Sequence, residues 1–364
     1  MKTINIERLK LARESRGLTQ TSLARVTNLT QAVISRIEKG LANISVEELE
    51  EISNVTGYDK NFFYKSHDVY PLKHFYFRKN LGSGTNTKKI ESIVNIVSSN
   101  IRDLLESIDI NVDIPFIDLK KENITPEETA FRIRELFNFP RGPIKNLIST
   151  LEKHGIIIHF YNFHKDLKID GVSFITPEGT PVILVNNERP NSRKIFTIAH
   201  EFGHLIMHFK SFIDSEFRDV EDEANRFAAE LLLPAREIKG SLFSIDETKL
   251  FQLKLNWNTS AQSLLYRANV LGTITKDQYR RWITKFNYFG WRKKEPYEFE
   301  IETPKLLNEM FKLHLFNLEY SIEDLTEMFG LNSNDFYEMY VSTIKELENH
   351  FPKNFKSKIS LKIS

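Results

Sequence analysis

The sequence predicts a mostly helical α+β fold: an all-α N-terminal domain, a mixed domain built on a small sheet, and a helical C-terminal region. Three observations carry that prediction. Apolar residues recur at three-to-four spacing through residues 8–64, in short runs with polar breaks. Short β-branched and aromatic segments interrupt the helical pattern between 156 and 186. Helical periodicity then resumes near 191 and runs on past 340.

The chain has 364 residues, enough for two or three domains, and 41% are hydrophobic, which suits a protein with real cores. It contains no cysteine, so disulfides, thiol nucleophiles, iron–sulfur clusters and cysteine zinc sites are excluded. Any metal must be held by His and carboxylates. The net charge of +1 argues against a chain that is basic throughout, but not against a local basic face. The opening MKTINIERLKLARES has no apolar core, so no signal peptide is expected, and no apolar run is long enough for a membrane span. A cytoplasmic protein is expected.

In the first region, Leu9, Ala12, Leu18, Leu23, Ala24, Val26, Leu29, Val33, Ile34 and Ile37 fall on three short helices. Thr19 can cap the second and Thr30 the third, and the break at Thr27-Asn28-Leu29 has the length of a helix-turn-helix connection. Charge is lopsided here. Residues 8–40 hold seven Lys or Arg and only Glu14 and Glu38 as acids, so a basic face is expected. Glu38 reads as structural.

Residues 65–89 read as a linker, with helices expected at 90–109, 125–138 and about 144–153. Thr125-Pro126-Glu127-Glu128 is a helix start with a capping hydroxyl, an early Pro and early carboxylates. Strands are expected at Ile156–Tyr161, Gly171–Ile175 and Val182–Asn186. Helices follow at about 191–209 and 219–232, the second stopped by Pro234. Domain boundaries are placed at 1–66, 67–120 (linker and helical connector), 121–243, 244–352 (helical) and 353–364 (basic tail).

The chemistry-bearing motif is His200-Glu201-Phe202-Gly203-His204. Two imidazoles four apart on a helix share one face and can hold one ion, while Glu201 projects about 100° away, toward a water in an open coordination position. Imidazoles plus one carboxylate suit Zn²⁺. The third ligand should come from the acid-rich helix that follows, where Glu221, Asp222, Glu223 and Glu230 compete. Glu221 is favoured because Asn225 lies one turn on and could support the site. His208, a turn beyond His204 on the same face, is a candidate supporting or oxyanion-stabilising residue. His159, His164 and Tyr161 are weaker candidates for the latter role. The strand at Gly171–Ile175 could pair with an extended substrate.

Two resemblances follow from these residues. Leu18-Thr19-Gln20, Leu23-Ala24, Ile34-Ser35-Arg36-Ile37-Glu38-Lys39-Gly40 and the helix at Leu49–Ile52 resemble the XRE-family helix-turn-helix over residues 5–64. The resemblance implies that Gln31, Ala32, Ser35 and Arg36 face base edges in the major groove of double-stranded operator DNA, and that Gln20 bonds a phosphate. A module this small binds weakly alone, which predicts a homodimer on a two-fold operator. Phe196 through His204, Glu221 through Pro234, Ser263–Arg267 and Gly290-Trp291-Arg292-Lys293-Lys294-Glu295-Pro296 resemble the ImmA/IrrE family of metallopeptidases. That likeness implies a zincin-like domain with a zinc cofactor, His200, His204 and Glu221 as ligands, and Glu201 as catalytic base. It also implies a protein substrate such as a repressor or antitoxin-like partner. The basic run Arg292–Lys294 reads as a solvated face. The expected function is a DNA-binding regulator with a working zinc peptidase, acting in a stress, phage or mobile-element response. The alternative is a transcription factor or toxin–antitoxin component whose peptidase-like domain senses a ligand or binds a partner without turnover.

Overall fold

The computed structural model describes residues 3–66, 69, 84–164, 166–209, 218–342 and 347. Most of the expected linker and all of the basic tail, 353–364, lie outside the described residues. The chain divides into two compact units. The first comprises Met1–Ile110, Tyr161–Lys168 and Leu306–Ser364, and the second Asn111–Phe160 and Ile169–Lys305.

The first unit opens with α1 (Ile6–Ser15), α2 (Gln20–Val26), α3 (Gln31–Glu38), α4 (Val46–Thr56) and α5 (Lys60–Phe63). The sequence caps hold them: Thr19 accepts from the Ser22 N–H and Thr30 from the Val33 N–H. Gly57 ends α4 in the left-handed conformation. Next comes α6 (Thr85–Leu105), which begins five residues before the expected 90 because its first turn, Thr85-Asn86-Thr87, carries no apolar periodicity. This helix falls in the stretch read as a connector, yet Ile90, Val94, Val97, Ile101 and Leu104 are buried, and Arg8 of α1 donates to Ser99 at 2.6 Å. The C-terminal elements complete this unit: α16 (Leu306–Lys312), α17 (Ile322–Phe329) and α18 (Ser333–Phe336). Phe311, Phe329, Phe336 and Tyr340 form an aromatic cluster with ring centroids 5.3–6.2 Å apart. Asn100 of α6 donates to the Tyr340 hydroxyl at 2.9 Å. Gly330, at φ +67°, packs so closely on Phe62 that a Cβ would lie 2.6 Å from its backbone.

The second unit contains α7 (Leu119–Glu122), α8 (Pro126–Leu136), α9 (Leu147–Lys153), strands β1 (Ile157–Tyr161), β2 (Gly171–Ile175) and β3 (Pro181–Asn186), then α10 (Asn191–Met207) and α11 (Val220–Leu232). Only the last residue of β1 belongs to the first unit. The sheet order is β1-β3-β2, with β2 antiparallel to β3 in the register Gly171↔Val185, Ser173↔Ile183, Ile175↔Pro181. Every residue of β3 is buried, as its near-continuous apolar sequence demands, and β2 is an edge strand. Then follow α12 (Ala235–Ile238), α13 (Glu247–Trp257), α14 (Ala261–Val270) and α15 (Lys276–Tyr288). Their apolar faces join one core with α8–α11 and the sheet, including Ile183, Ile198, Phe202, Phe227, Leu264 and Phe286. The stretch 244–352, read as one helical region, thus divides: its part up to Lys305 lies in the second unit and the remainder in the first. No described helix is long and apolar enough to cross a membrane.

Candidate metal centre and DNA-facing surface

Two glycines let β2 and α11 pack closely on α10. Gly171 of β2 lies against α10, where a Cβ would meet Thr197 Cγ2 at 2.4 Å and Glu201 Cγ at 3.5 Å. Gly203, inside the motif, lets α11 approach: a Cβ there would sit 2.9 Å from Phe227 Cδ1. These contacts place Glu201 against the strand and Glu221 against the histidines. Asp219 caps α11, and its first turn is acidic, which favours the positive end of the helix dipole.

His200 Nε2 and His204 Nε2 lie 3.1 Å apart. The nearest Glu221 oxygens are 3.6 Å from His200 Nε2 and 3.5 Å from His204 Nε2. Two ligands of one tetrahedral zinc ion stand about 3.3–3.4 Å apart, so these approaches fit that donor set. Among the described residues, His200, His204 and Glu221 are the group that could hold a metal. The other acids of α11 are engaged elsewhere. Asp222 is exposed beside Arg226, Glu223 bonds His208, and Glu230 bonds Arg267 and the Ala235 N–H.

Glu201 is buried, and Ser173 Oγ of β2 donates to its Oε2 at 2.7 Å. Sequence reasoning missed Ser173, because an alternating strand pattern does not reveal which residue meets a neighbouring helix. Behind His204 runs a polar chain: His204 Nδ1 to His208 Nδ1 at 2.9 Å, His208 Nε2 to Glu223 Oε2 at 2.9 Å, and Arg218 to both Glu223 oxygens at 3.0 and 2.7 Å. Burial drives the His208 pKa down to about 4, against the opposing hydrogen bond to Glu223. Burial would raise Glu223, but bonds from His208 and Arg218 outweigh it and hold the carboxyl low. If His204 offers its Nε2 lone pair, its proton sits on Nδ1 and neutral His208 accepts it, leaving His208 Nε2–H for Glu223. Asn225 is half-buried on α11. His159 is buried on β1, while His164 pairs with Asp166 at the surface of the first unit and Tyr161 is buried there.

In the helix-turn-helix, α3 buries Ile34 and Ile37 and turns Gln31, Ala32 and Arg36 to solvent, with Ser35 half-buried. Gln31 Nε2 donates to Gln20 Oε1 at 2.9 Å, and Gln20 Nε2 donates to Glu38 Oε2 at 2.9 Å. Glu38 is gripped by Arg13 through bonds of 2.6 and 2.8 Å. The basic face is smaller than the sequence count suggests. Arg8 is buried against Ser99, Arg13 is spent on Glu38, and Arg16 bonds Asp335 and the Thr56 carbonyl. Lys10, Arg25, Arg36 and Lys39 remain exposed. No exposed acid opposes them within residues 8–40, because Glu14 and Glu38 are both turned inward.

Residues 9–63 match the helix-turn-helix family model, and residues 151–269 match a peptidase-family model described as the IrrE N-terminal-like domain. No curated protein matches the chain. The helix-turn-helix implies DNA binding, and the second match implies a metallopeptidase type of domain. The chain therefore joins an XRE-type helix-turn-helix to an IrrE N-terminal-like domain.

Proposed function

We propose that this protein is a DNA-binding regulator whose second unit is a zinc-dependent endopeptidase, cleaving a repressor or antitoxin-like protein in a stress, phage or mobile-element response. The observation that carries the reading is the convergence of His200, His204 and Glu221 beside a separate buried carboxylate, Glu201. A purely structural zinc site closes its coordination with four protein ligands, whereas three ligands and a nearby base are what hydrolysis needs. Zinc, when bound, acidifies water and polarises a carbonyl. His200, His204 and Glu221 would hold it. Glu201 takes a proton from the attacking water and returns it to the leaving amine. Ser173 orients Glu201 for that task by donating to one carboxylate oxygen. His208 and Glu223 hold the His204 ring and its proton in place.

On DNA, Gln31, Ala32, Ser35 and Arg36 would face bases, with Gln20 at a phosphate, in a homodimer on a two-fold site. Gln20 is held by Glu38 and in turn holds Gln31, so both amides are oriented before DNA arrives.

The test is purified full-length protein with its metal content measured. Near-stoichiometric zinc should disappear in His200→Ala. Glu201→Gln should keep zinc and abolish cleavage of a co-expressed helix-turn-helix partner. Zinc retained with no Glu201-dependent cleavage of any partner would leave a binding module and end the peptidase reading.

A further inference from the structure

The segment Trp291–Pro296 finds its place in the second unit. Trp291 packs edge-on against Phe251 and Phe286 at 5.1 and 5.4 Å and stacks on Phe289 at 4.8 Å. Lys254, fully buried, donates to the Pro296 carbonyl at 2.8 Å and lies 3.0 Å from Glu295. Glu295 in turn accepts the Ala261 and Gln262 N–H groups at the start of α14. The turn is thus pinned at both ends. Between the pins, Arg292 and Lys293 are exposed and have no ion-pair partner among the described residues.

Both cations line a cleft of about 520 Å³ that also takes in Ser192 and Phe196 of α10. Ser192, Phe196 and His200 are spaced four apart, so the cleft continues the metal-facing side of that helix toward its N-terminus. The Phe196 ring lies 6.5 Å from the His200 ring, inclined at 29°. Four residues of helix rise about 6 Å and eight about 12 Å, while an extended peptide advances about 3.3 Å per residue. Of the acids on the cleft, Glu295 is engaged by Lys254 and Glu298 accepts the Asn191 N–H, leaving Glu188. Arg189 and Arg193 share Asp170.

We propose that this cleft is a substrate subsite, in which Arg292 and Lys293 select an Asp or Glu two to four residues from the scissile bond of an extended protein substrate. The inference rests on the peptidase reading and deepens it. Exposed charge pairs are individually weak, so the two cations together should give roughly three- to ten-fold preference.

The test uses the full-length zinc-loaded protein on a degenerate peptide library, with cut sites read by mass spectrometry. Acidic residues should be enriched at one fixed position two to four residues from the cut. Arg292→Glu/Lys293→Glu, with zinc content and melting temperature unchanged, should turn that preference toward Lys or Arg. Glu201-dependent cleavage without acidic enrichment, or enrichment that survives the double variant, overturns the subsite. A parallel anisotropy measurement with Glu201→Gln protein compares an acidic octapeptide with its amide counterpart. If nothing is cleaved, the peptidase reading falls, yet acidic binding lost in the double variant still supports the subsite, and equal binding of both peptides overturns it. Lost operator affinity with unchanged peptide choice would assign the two cations to DNA and overturn it as well.

Discussion

Replacing Gly203 with Ala sets two effects of known size against each other. In a helix interior, Ala is favoured over Gly by about 1 kcal/mol. The added Cβ, however, would lie 2.9 Å from Phe227 Cδ1 and 3.3 Å from Cγ, and that ring is fully buried. It must retreat by about 0.5 Å to reach ordinary contact, and overpacking of this kind costs about 1–3 kcal/mol. The net change in stability is then a loss of about 0–2 kcal/mol. The metal site should feel more. Phe227 and Glu221 ride on the same helix, and ligand distances tolerate only about 0.2 Å. Zinc affinity should fall at least about ten-fold, or about 1.4 kcal/mol, in competition against a chelating dye. The zinc-induced rise in melting temperature should shrink with it. Phe227→Leu in the same chain should restore part of both. Gly203→Ala protein that binds zinc within two-fold of wild type and melts higher would show that helix propensity dominates and that this close approach does not position Glu221.

Three other outcomes are expected. Glu38→Ala removes two charge-assisted bonds from the buried Arg13, which keeps Glu14 and the Leu18 carbonyl, and releases Gln20, so urea unfolding should show a loss of about 1.5–3 kcal/mol and operator footprints should weaken; a loss below about 1 kcal/mol would make that pair a surface contact in disguise. Glu223→Gln weakens the chain behind His204, and zinc affinity should drop about 10- to 100-fold with the fold intact by circular dichroism; unchanged affinity would separate His208 from the site. Burial would raise the Glu127 carboxyl, but two hydrogen bonds from Arg226 hold it below the ordinary carboxyl value. Its stabilising contribution is therefore complete above the unfolded-state value and is lost as pH falls through the lower folded-state value. Glu127→Gln should narrow the gap between urea midpoints at pH 7 and pH 3.5, and an unaltered gap would discount the pair.

Local signals were readable where the chain speaks for itself. Thr19, Thr30 and Thr125 cap the helices that their hydroxyls suggest, Pro234 follows α11, and the three strands fall within a residue of their apolar runs. The i, i+4 spacing of His200, His204 and His208 put them on one face without any knowledge of the fold. Partners from other elements were not readable. Nothing near Glu223 announces Arg218 and His208 together, and nothing in β2 marks Ser173 as the donor to Glu201. The arginines of α1 and its C-cap misled for the same reason. Arg8, Arg13 and Arg16 look like a solvated basic face, but their acceptors lie 91, 25 and 319 residues away. Among the four acids of α11, the spacing of Glu221 and Asn225 favoured Glu221, and Glu221 is the acid whose oxygens approach both imidazoles, at 3.6 and 3.5 Å.

The alternation of segments between the two units has a genetic corollary. The chain passes between them at four points, after Ile110, Phe160, Lys168 and Lys305. No single stop codon or single backbone cut can therefore yield one unit whole and free of the other. A chain ended after 243 keeps the helix-turn-helix but loses α16–α18, and with them the Asp335 that holds Arg16 and the Tyr340 that receives Asn100. Truncation phenotypes in such a protein report on both units at once, and only point substitutions can separate operator binding from chemistry at the metal.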